Sequence, residues 1–160
     1  MSAGVLVLPD AIATELLGRV LGPLLRAGDV VALFGDLGAG KTSLARGALA
    51  ALGLAEEAPS PTFAIVQPYA PPEVTLPVAH VDLYRIDEPG DAAELGLDEL
   101  REDGALLVEW PERLGDALWP DALRLTLAPD PSGGRRLTWH APAAWERRWP
   151  PQEWATDLPR

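Results

Sequence analysis

The chain contains no cysteine and only one lysine among its 160 residues. Without cysteine it can form neither a disulfide framework nor a thiolate zinc site, and two histidines are too few for a histidine-rich metal cluster. No apolar run approaches the roughly 18 residues that a membrane-spanning helix needs. The N-terminus also lacks the basic leader of a signal peptide. We therefore expect a soluble, cytoplasmic protein with no membrane contact.

Basic residues are scarce as well, since 13 Lys+Arg stand against 24 Asp+Glu for a formal net charge of −11. The segment 87–103 is densely acidic and would repel a phosphate backbone. Direct binding of nucleic acid is therefore not expected. At 17.1 kDa the chain fits a single domain, residues 1–160, and the proline-rich tail from about residue 150 is expected to be flexible.

Strand and helix patterns alternate along the chain, which predicts an α/β fold. The predicted strands are residues 4–9, 29–34, 62–69, 74–86, 105–110, 122–128 and 135–141. The last two should form a C-terminal hairpin. Predicted helices follow Asp10, an N-cap candidate, and occupy 42–54 and 92–100. In the first helix the apolar residues at four-residue spacing are Ile12, Leu16, Val20 and Leu24.

The single lysine, Lys41, lies in the stretch GDLGAGKT at residues 35–42. Gly35, Gly40 and Thr42 complete the pattern G-x-x-x-x-G-K-[ST], with an apolar strand before it and a helix after it. In such a loop, successive backbone N–H groups point at one phosphate and the positive helix end adds to the attraction. The lysine reaches the outer phosphates, and the threonine hydroxyl is a ligand for Mg²⁺.

The lone lysine also bears on the choice of base. Guanine-specific GTPases generally use an Asn/Thr-Lys-x-Asp element, and no second lysine exists to form one. ATP is therefore the expected nucleotide.

A site for a magnesium nucleotide usually adds a carboxylate at the end of a neighbouring apolar strand. Glu109 ends the run ALLVE, and Asp82 interrupts AHVDLY. Either or both are candidates for binding metal or polarising water, and the alternative is a solvated acid at a strand end. In SPTF, residues 60–63, the hydroxyl of Thr62 is a candidate γ-phosphate sensor, although such a segment is more often a plain turn.

Several other residues have a functional and a purely structural interpretation. Arg85 is a candidate for stabilising transition-state charge, although a single arginine at a strand end is usually a surface residue. The pairs Arg135/Arg136 and Arg147/Arg148 are candidates for contact with a partner or RNA, although solvated hairpin and helix faces are the favoured interpretation. The tryptophans of the tail either pack on the domain's own surface or form a contact site, and the first is the commoner outcome. They are Trp145, Trp149 and Trp154.

Four segments stand in order: GDLGAGKT, SPTF, HVDLYR and VEWPE. This combination resembles the TsaE (YjeE) family, the small bacterial ATPases of tRNA threonylcarbamoyladenosine synthesis, and the resemblance runs from about Pro9 to His140. It implies a P-loop NTPase fold. In that fold the parallel centre of a mixed sheet is extended by antiparallel strands towards the C-terminus, with helices on both faces.

The resemblance also implies roles for individual residues. The phosphates of ATP would be bound by Asp36, Leu37, Gly38, Ala39, Gly40, Lys41 and Thr42. Thr42 and Glu109 would hold Mg²⁺, Asp82 would be needed for hydrolysis together with Glu109 and Lys41, and Thr62 would belong to a switch segment. Trp110 is part of the matching signature, with a packing role equally open, and Thr14 is a weaker candidate for contact with adenine.

By resemblance the chain is a magnesium-dependent ATPase subunit that supports the proteins TsaD and TsaB and reaches tRNA only through them. Its hydrolysis would be weak alone and stimulated by these partners. Two alternatives remain open from the sequence. One is a P-loop kinase for a small molecule, although the region expected to form its lid is mostly acidic rather than rich in arginine. The other is a nucleotide-gated binding module in which hydrolysis is incidental.

Overall fold

The computed structural model describes residues 2–55, 58 and 65–150. Thr62 and the rest of SPTF, as well as Trp154, lie outside the described residues.

A mixed seven-stranded sheet forms the centre of the described part of the chain. Its strands are β1 Ser2–Leu8, β2 Val30–Phe34, β3 Val66–Tyr69, β4 Val78–Asp82, β5 Ala105–Glu109, β6 Leu123–Pro129 and β7 Arg135–Ala141. They lie in the order β1-β7-β6-β2-β5-β4-β3. The four neighbours β6, β2, β5 and β4 are parallel, whereas β7 and β1 add antiparallel pairs at one edge and β3 adds one at the other. The predicted parallel centre and antiparallel C-terminal extension are confirmed.

Helices cover both faces of this sheet. They are α1 Ala11–Leu21, α2 Lys41–Ala51, α3 Pro89–Ala92 and α4 Leu97–Asp103, with short 3₁₀ segments at Gly22–Leu24, Ala93–Leu95, Pro111–Ala117 and Ala143–Trp145. Alternate residues of β2 face opposite sides, so that Val31 and Leu33 pack in the cluster formed with α1 and α2. Val30 and Ala32 pack in the cluster that contains residues of α3 and α4. Burial on both faces explains why β2 and β5 are continuously apolar up to Glu109.

The first helix packs against α2 through a face other than the predicted one. Its buried residues are Ala13, Thr14, Leu17, Gly18 and Leu21, whereas Ile12 and Leu16 are exposed. A Cβ added at Gly18 would lie 2.0 Å from the Leu44 carbonyl oxygen, so the two helix backbones approach closely at this point. The four-residue spacing of large apolar residues was therefore misleading, because the contact is made through a glycine.

Two predicted elements are shorter in the structure. The acidic helix predicted at 92–100 is interrupted at Gly96, whose backbone is left-handed with φ 69° and ψ 31°, and α4 begins only after it. The strand predicted at 74–86 is limited to β4, because Pro77 precedes it and a turn follows, in which the Ile86 N–H donates to the Leu83 carbonyl.

The end of the described chain packs onto the domain. Trp145 and Trp149 are both about 1% exposed and join the cluster of α1 and α2, as predicted for them. The prediction of a solvated pair is wrong for Arg148, because its side chain is only 12% exposed and is paired with the carboxylate of Asp29. Within the described ranges, no helix is both long and apolar enough to cross a membrane.

Candidate functional site

The phosphate-loop sequence lies between the end of β2 and the start of α2 at Lys41. Gly38 and Gly40 have positive φ values of 78° and 108°, a conformation that glycine adopts without strain. A Cβ added at Gly38 would meet nothing within 4 Å, so the loop faces open space there. The sequence thus forms a concave backbone that ends at a helix N-terminus, the geometry that binds phosphate elsewhere in proteins.

Lys41 is held inside this loop. Its Nζ donates a hydrogen bond of 2.6 Å to the Gly35 carbonyl and lies 3.7 Å from the centroid of the Trp110 ring. Burial lowers the pKa of the Lys41 ammonium, while nearby carboxylates, Glu109 foremost, act in the opposite direction. The side chain is only about 4% exposed, so its charge is directed at the loop and the cleft beside it.

Thr42 and Glu109 meet although they are far apart in sequence. The Thr42 hydroxyl lies 3.1 Å from Oε1 and 3.2 Å from Oε2 of Glu109, and donates to that carboxylate. Parallel pairing of β4 and β5 places Asp82 directly opposite Glu109. Burial raises the pKa of Asp82, although the Tyr84 N–H, which donates to Oδ1 at 2.9 Å, lowers it. One hydroxyl and two carboxylates therefore converge at the carboxyl ends of parallel strands.

His80 is a site residue that the sequence reasoning missed. It is fully buried, and its Nε2 lies 2.6 Å from Oε2 of Glu109. A carboxylate oxygen accepts hydrogen bonds, so Nε2 is the donor. The available signal was the spacing of His80 and Asp82, which puts both side chains on one face of β4. Nothing in the sequence shows that this face is the one that Glu109 shares.

Aromatic side chains form the wall next to Lys41. Trp110 follows Glu109 directly and has a left-handed backbone, with φ 58° and ψ 46°. This turn brings its indole against Tyr84, with ring centroids 4.9 Å apart and tilted by 51°. The packing role left open for Trp110 is thus present, together with a contact to the lysine ammonium.

The opposite wall contains Arg135, which the sequence assigned to a solvated hairpin face. Its Nη1 donates to the Thr14 hydroxyl at 3.3 Å, and that hydroxyl donates in turn to the Asp10 carbonyl. Thr14 itself is fully buried and does not line the cleft. This position argues against the direct base contact predicted for Thr14 and gives it a different task, which is to hold Arg135.

A cleft of about 440 Å³ lies between these walls. It is lined by residues 37–43 of the loop and helix start, together with Asp82, Tyr84, Arg85, Glu109, Trp110 and Arg135. Most of the predicted site residues are thus brought together. Asp36 is exposed at the start of the loop, where its carbonyl accepts from the Ala39 N–H at 3.1 Å. Thr62 lies outside the described residues and keeps its predicted role only as a prediction.

The donor set suits a magnesium ion that arrives with phosphates. Mg²⁺ prefers oxygen ligands and usually takes one or two from the protein, with phosphates and waters completing an octahedron. Thr42 and Glu109 supply oxygens of this kind at adjacent positions. In residues 2–55, 58 and 65–150 no group of three or more His, Cys, Asp or Glu side chains could hold a metal. Thr42 and Glu109 therefore fit a metal that takes its remaining ligands from phosphates and water.

Comparison with known proteins gives a consistent family. The profile of the family described as threonylcarbamoyl adenosine biosynthesis protein TsaE matches residues 8–137. A protein of Streptomyces coelicolor named tRNA threonylcarbamoyladenosine biosynthesis protein TsaE is 45% identical over 112 residues, which cover 69% of this chain and 76% of that protein. The protein of the same name from Bacillus subtilis is 33% identical over 129 residues, covering 80% and 79%.

A solved structure agrees with these sequence matches. The crystal structure of Bacillus subtilis YdiB superposes with a TM-score of 0.74 and 28% sequence identity, covering 88% of this chain and 86% of that one. The fold is thus a P-loop NTPase fold, and the matched residues span the loop, both strand-end carboxylates and the start of β7. The chain belongs to the TsaE family, which takes part in the biosynthesis of threonylcarbamoyladenosine in tRNA.

Proposed function

We propose that this protein is a magnesium-dependent ATPase subunit that supports TsaB and TsaD in forming threonylcarbamoyladenosine in tRNA. The observation that carries the proposal is the contact between the Thr42 hydroxyl and the Glu109 carboxylate at the end of the phosphate loop, with Asp82 paired opposite Glu109. A loop lysine, a hydroxyl ligand and a strand-end carboxylate are the parts that P-loop enzymes use for Mg–ATP.

Each of these side chains has a distinct task in the proposed reaction. Lys41 neutralises charge on the outer phosphates, since its ammonium is held at the mouth of the loop by Gly35. Thr42 and Glu109 hold the magnesium ion, which supplies charge neutralisation at the phosphates when it is bound. The preset contact between the two means that neither side chain has to be ordered on binding.

Asp82 is proposed to act on the water that attacks the terminal phosphate. Its carboxylate lines the cleft, and burial raises its pKa, which is the direction that favours accepting a proton from water. Arg85 lines the same cleft and is proposed to stabilise charge that develops in the transition state. Thr62 is proposed to supply a switch hydroxyl, because SPTF at residues 60–63 resembles the switch segment of the TsaE family.

The proposed dependence on partners agrees with the charge of the chain. A net charge of −11 opposes direct contact with tRNA, so the protein would reach its substrate through TsaD and TsaB. In this scheme hydrolysis resets the assembly between turnovers, and the partners are expected to raise a low basal rate.

The test measures Mg-dependent ATP hydrolysis with and without TsaB and TsaD. We expect Thr42→Ala and Glu109→Gln each to lower the stimulated rate by about a hundredfold or more, since the first removes a hydroxyl ligand of the metal and the second removes the negative charge of the carboxylate ligand. Glu102→Gln is the matched control, because Glu102 is an exposed carboxylate on α4, away from the cleft, and should leave the rate unchanged. Equal hydrolysis by the wild type with and without both partners would contradict the proposed assembly role.

A further inference from the structure

A cationic side chain borders the cleft on the side away from the carboxylates. Glu109 and Asp82 end β5 and β4, which lie on one side of β2 in the sheet. Arg135 begins β7, which lies on the other side of β2, beyond β6. All three side chains nevertheless line the same cleft. The cleft therefore has a metal-binding end and a second end marked by a guanidinium.

The guanidinium of Arg135 is fixed in place by its surroundings. Nη1 donates to the hydroxyl of Thr14, a side chain that is fully buried in α1. A Cβ added at Gly40 would lie 2.6 Å from Nη1 and 3.3 Å from the Thr14 methyl group, so the guanidinium packs closely on the phosphate-loop backbone. One hydrogen bond to Thr14 leaves most of the five guanidinium N–H donors for other partners.

The orientation of a bound nucleotide follows from the two ends of the cleft. If the terminal phosphates lie with Thr42 and Glu109, the rest of the nucleotide must leave the loop in the other direction, towards Arg135. A guanidinium stacks with its flat face on an aromatic ring and can donate to ribose oxygens, which a lysine ammonium cannot do in the same way. The α-phosphate would be the competing partner for the same charge.

We propose that Arg135, held by Thr14, binds the nucleoside part of the nucleotide and thereby makes the cleft prefer nucleotides over inorganic polyphosphate. This inference rests on the proposed function, because it needs a Mg–nucleotide in the cleft. A side chain at position 40 would have to push this guanidinium aside, so the two residues are closely packed.

The experiment compares two ligands that share phosphates and differ in the nucleoside. Binding of Mg–ATP and of Mg–tripolyphosphate is measured by calorimetry at about 0.15 M salt. At this ionic strength, interactions between exposed charges more than roughly 8 Å apart are largely screened. For Arg135→Ala we expect ATP affinity to fall about tenfold and tripolyphosphate affinity to change less than twofold. Arg135→Lys should lower the affinity for ATP nearly as much as Arg135→Ala does, because an ammonium lacks the planar face of a guanidinium.

Two further variants separate this role from a structural one. Thr14→Val keeps the buried volume but removes the hydroxyl, and should weaken ATP severalfold by releasing Arg135. Arg136→Ala is the matched control, because Arg136 is the exposed neighbour on the same strand and pairs with Asp130. It should bind both ligands as the wild type does. Thermal unfolding of each ligand-free variant checks that the fold is kept.

The possible outcomes are distinct. An equal loss of ATP and tripolyphosphate affinity in Arg135→Ala and Arg135→Lys would overturn the inference, because it would mean that Arg135 binds phosphate. Unchanged ATP affinity in both variants would overturn it as well. Failure of the wild type to bind Mg–ATP at all would overturn the proposed function together with the inference.

Discussion

Lys41 places an ammonium where the fold leaves it only 4% exposed, and this burial lowers its pKa. The Gly35 carbonyl and the face of Trp110 offset part of the cost, since both attract a cation. The ammonium lies 2.6 Å from the carbonyl oxygen and 3.7 Å from the ring centroid, so it contacts both groups at once. A lysine is thus present at this position in a chain whose other basic residues are all arginines.

His80 is expected to act as a positioning residue for Glu109. Its Nε2 donates to one carboxylate oxygen, while the Thr42 hydroxyl approaches both oxygens, so the two contacts together orient the carboxylate. Groups that orient metal ligands typically affect metal affinity about tenfold to a hundredfold. For His80→Leu we therefore expect the Mg²⁺ concentration needed for half-maximal hydrolysis to rise about tenfold.

A conservative variant and a matched control sharpen this test. In His80→Gln an amide N–H can take the place of Nε2, so the Mg²⁺ requirement should return to within about threefold of the wild type. His140→Leu changes the exposed histidine of β7 and should have no effect. The role assigned to His80 would be wrong if His80→Leu had the wild-type requirement for Mg²⁺ at a normal unfolding temperature.

At the scale of elements, α1 and α2 are joined by a pair of glycines. A Cβ at Gly18 would lie 2.0 Å from the Leu44 carbonyl oxygen, and one at Gly47 would lie 2.0 Å from the Glu15 carbonyl oxygen. Since α2 carries Lys41 and Thr42 at its start, this contact also sets where the phosphate loop ends. The helix pair therefore links the position of α1, which holds Thr14, to the position of the loop.

Gly18→Ala is predicted to destabilise the protein by roughly 2–3 kcal/mol, because the obstructing atom belongs to backbone and cannot rotate away. Gly90→Ala provides the control, since an added Cβ there meets nothing within 4 Å and the residue lies in α3. It should leave stability unchanged or raise it slightly. Urea unfolding of both variants measures the difference. Equal stability of the two would show that α1 can shift without cost.

The elements also show what the sequence could and could not predict. The loop, β2, β5 and the β6–β7 hairpin follow from local patterns, and Lys41 with Thr42 from a motif eight residues long. Contacts of His80 and Arg135 depend on partners on other elements, Glu109 in β5 and Thr14 in α1. Their pairing is set by strand order and helix packing, and single-sequence periodicity contains neither. The exposed Ile12 is the same kind of error, since periodicity locates apolar residues without identifying the partner surface.

For the whole molecule, the last described segment is bonded to the residue that precedes β2. Arg148 donates to both carboxylate oxygens of Asp29, at 2.5 and 3.0 Å, and to the Leu24 carbonyl at 2.9 Å. Its guanidinium lies 4.1 Å from the centroid of the Trp145 ring. Asp29 immediately precedes β2, the strand that leads into the phosphate loop. One ion pair thus joins the end of the described chain to the start of the core strand β2.

The Asp29–Arg148 pair is expected to stabilise the whole domain without contributing to nucleotide binding. Both side chains are nearly buried, so removing one partner leaves the other charged and without its counterion. Asp29→Asn and Arg148→Gln should each lower the free energy of unfolding by roughly 2–3 kcal/mol. The double variant should lose less than the sum of the two, with a coupling of about 1–2 kcal/mol in a double-mutant cycle measured by urea unfolding.

ATP affinity, measured well below the unfolding temperature, should stay at the wild-type value in all three variants, because the pair does not line the cleft. Additive losses would mean that the two charges are not coupled and that Arg148 acts through its separate contacts with Leu24 and Trp145. Reduced ATP affinity would mean that the contact between the last described segment and Asp29 also adjusts the phosphate loop.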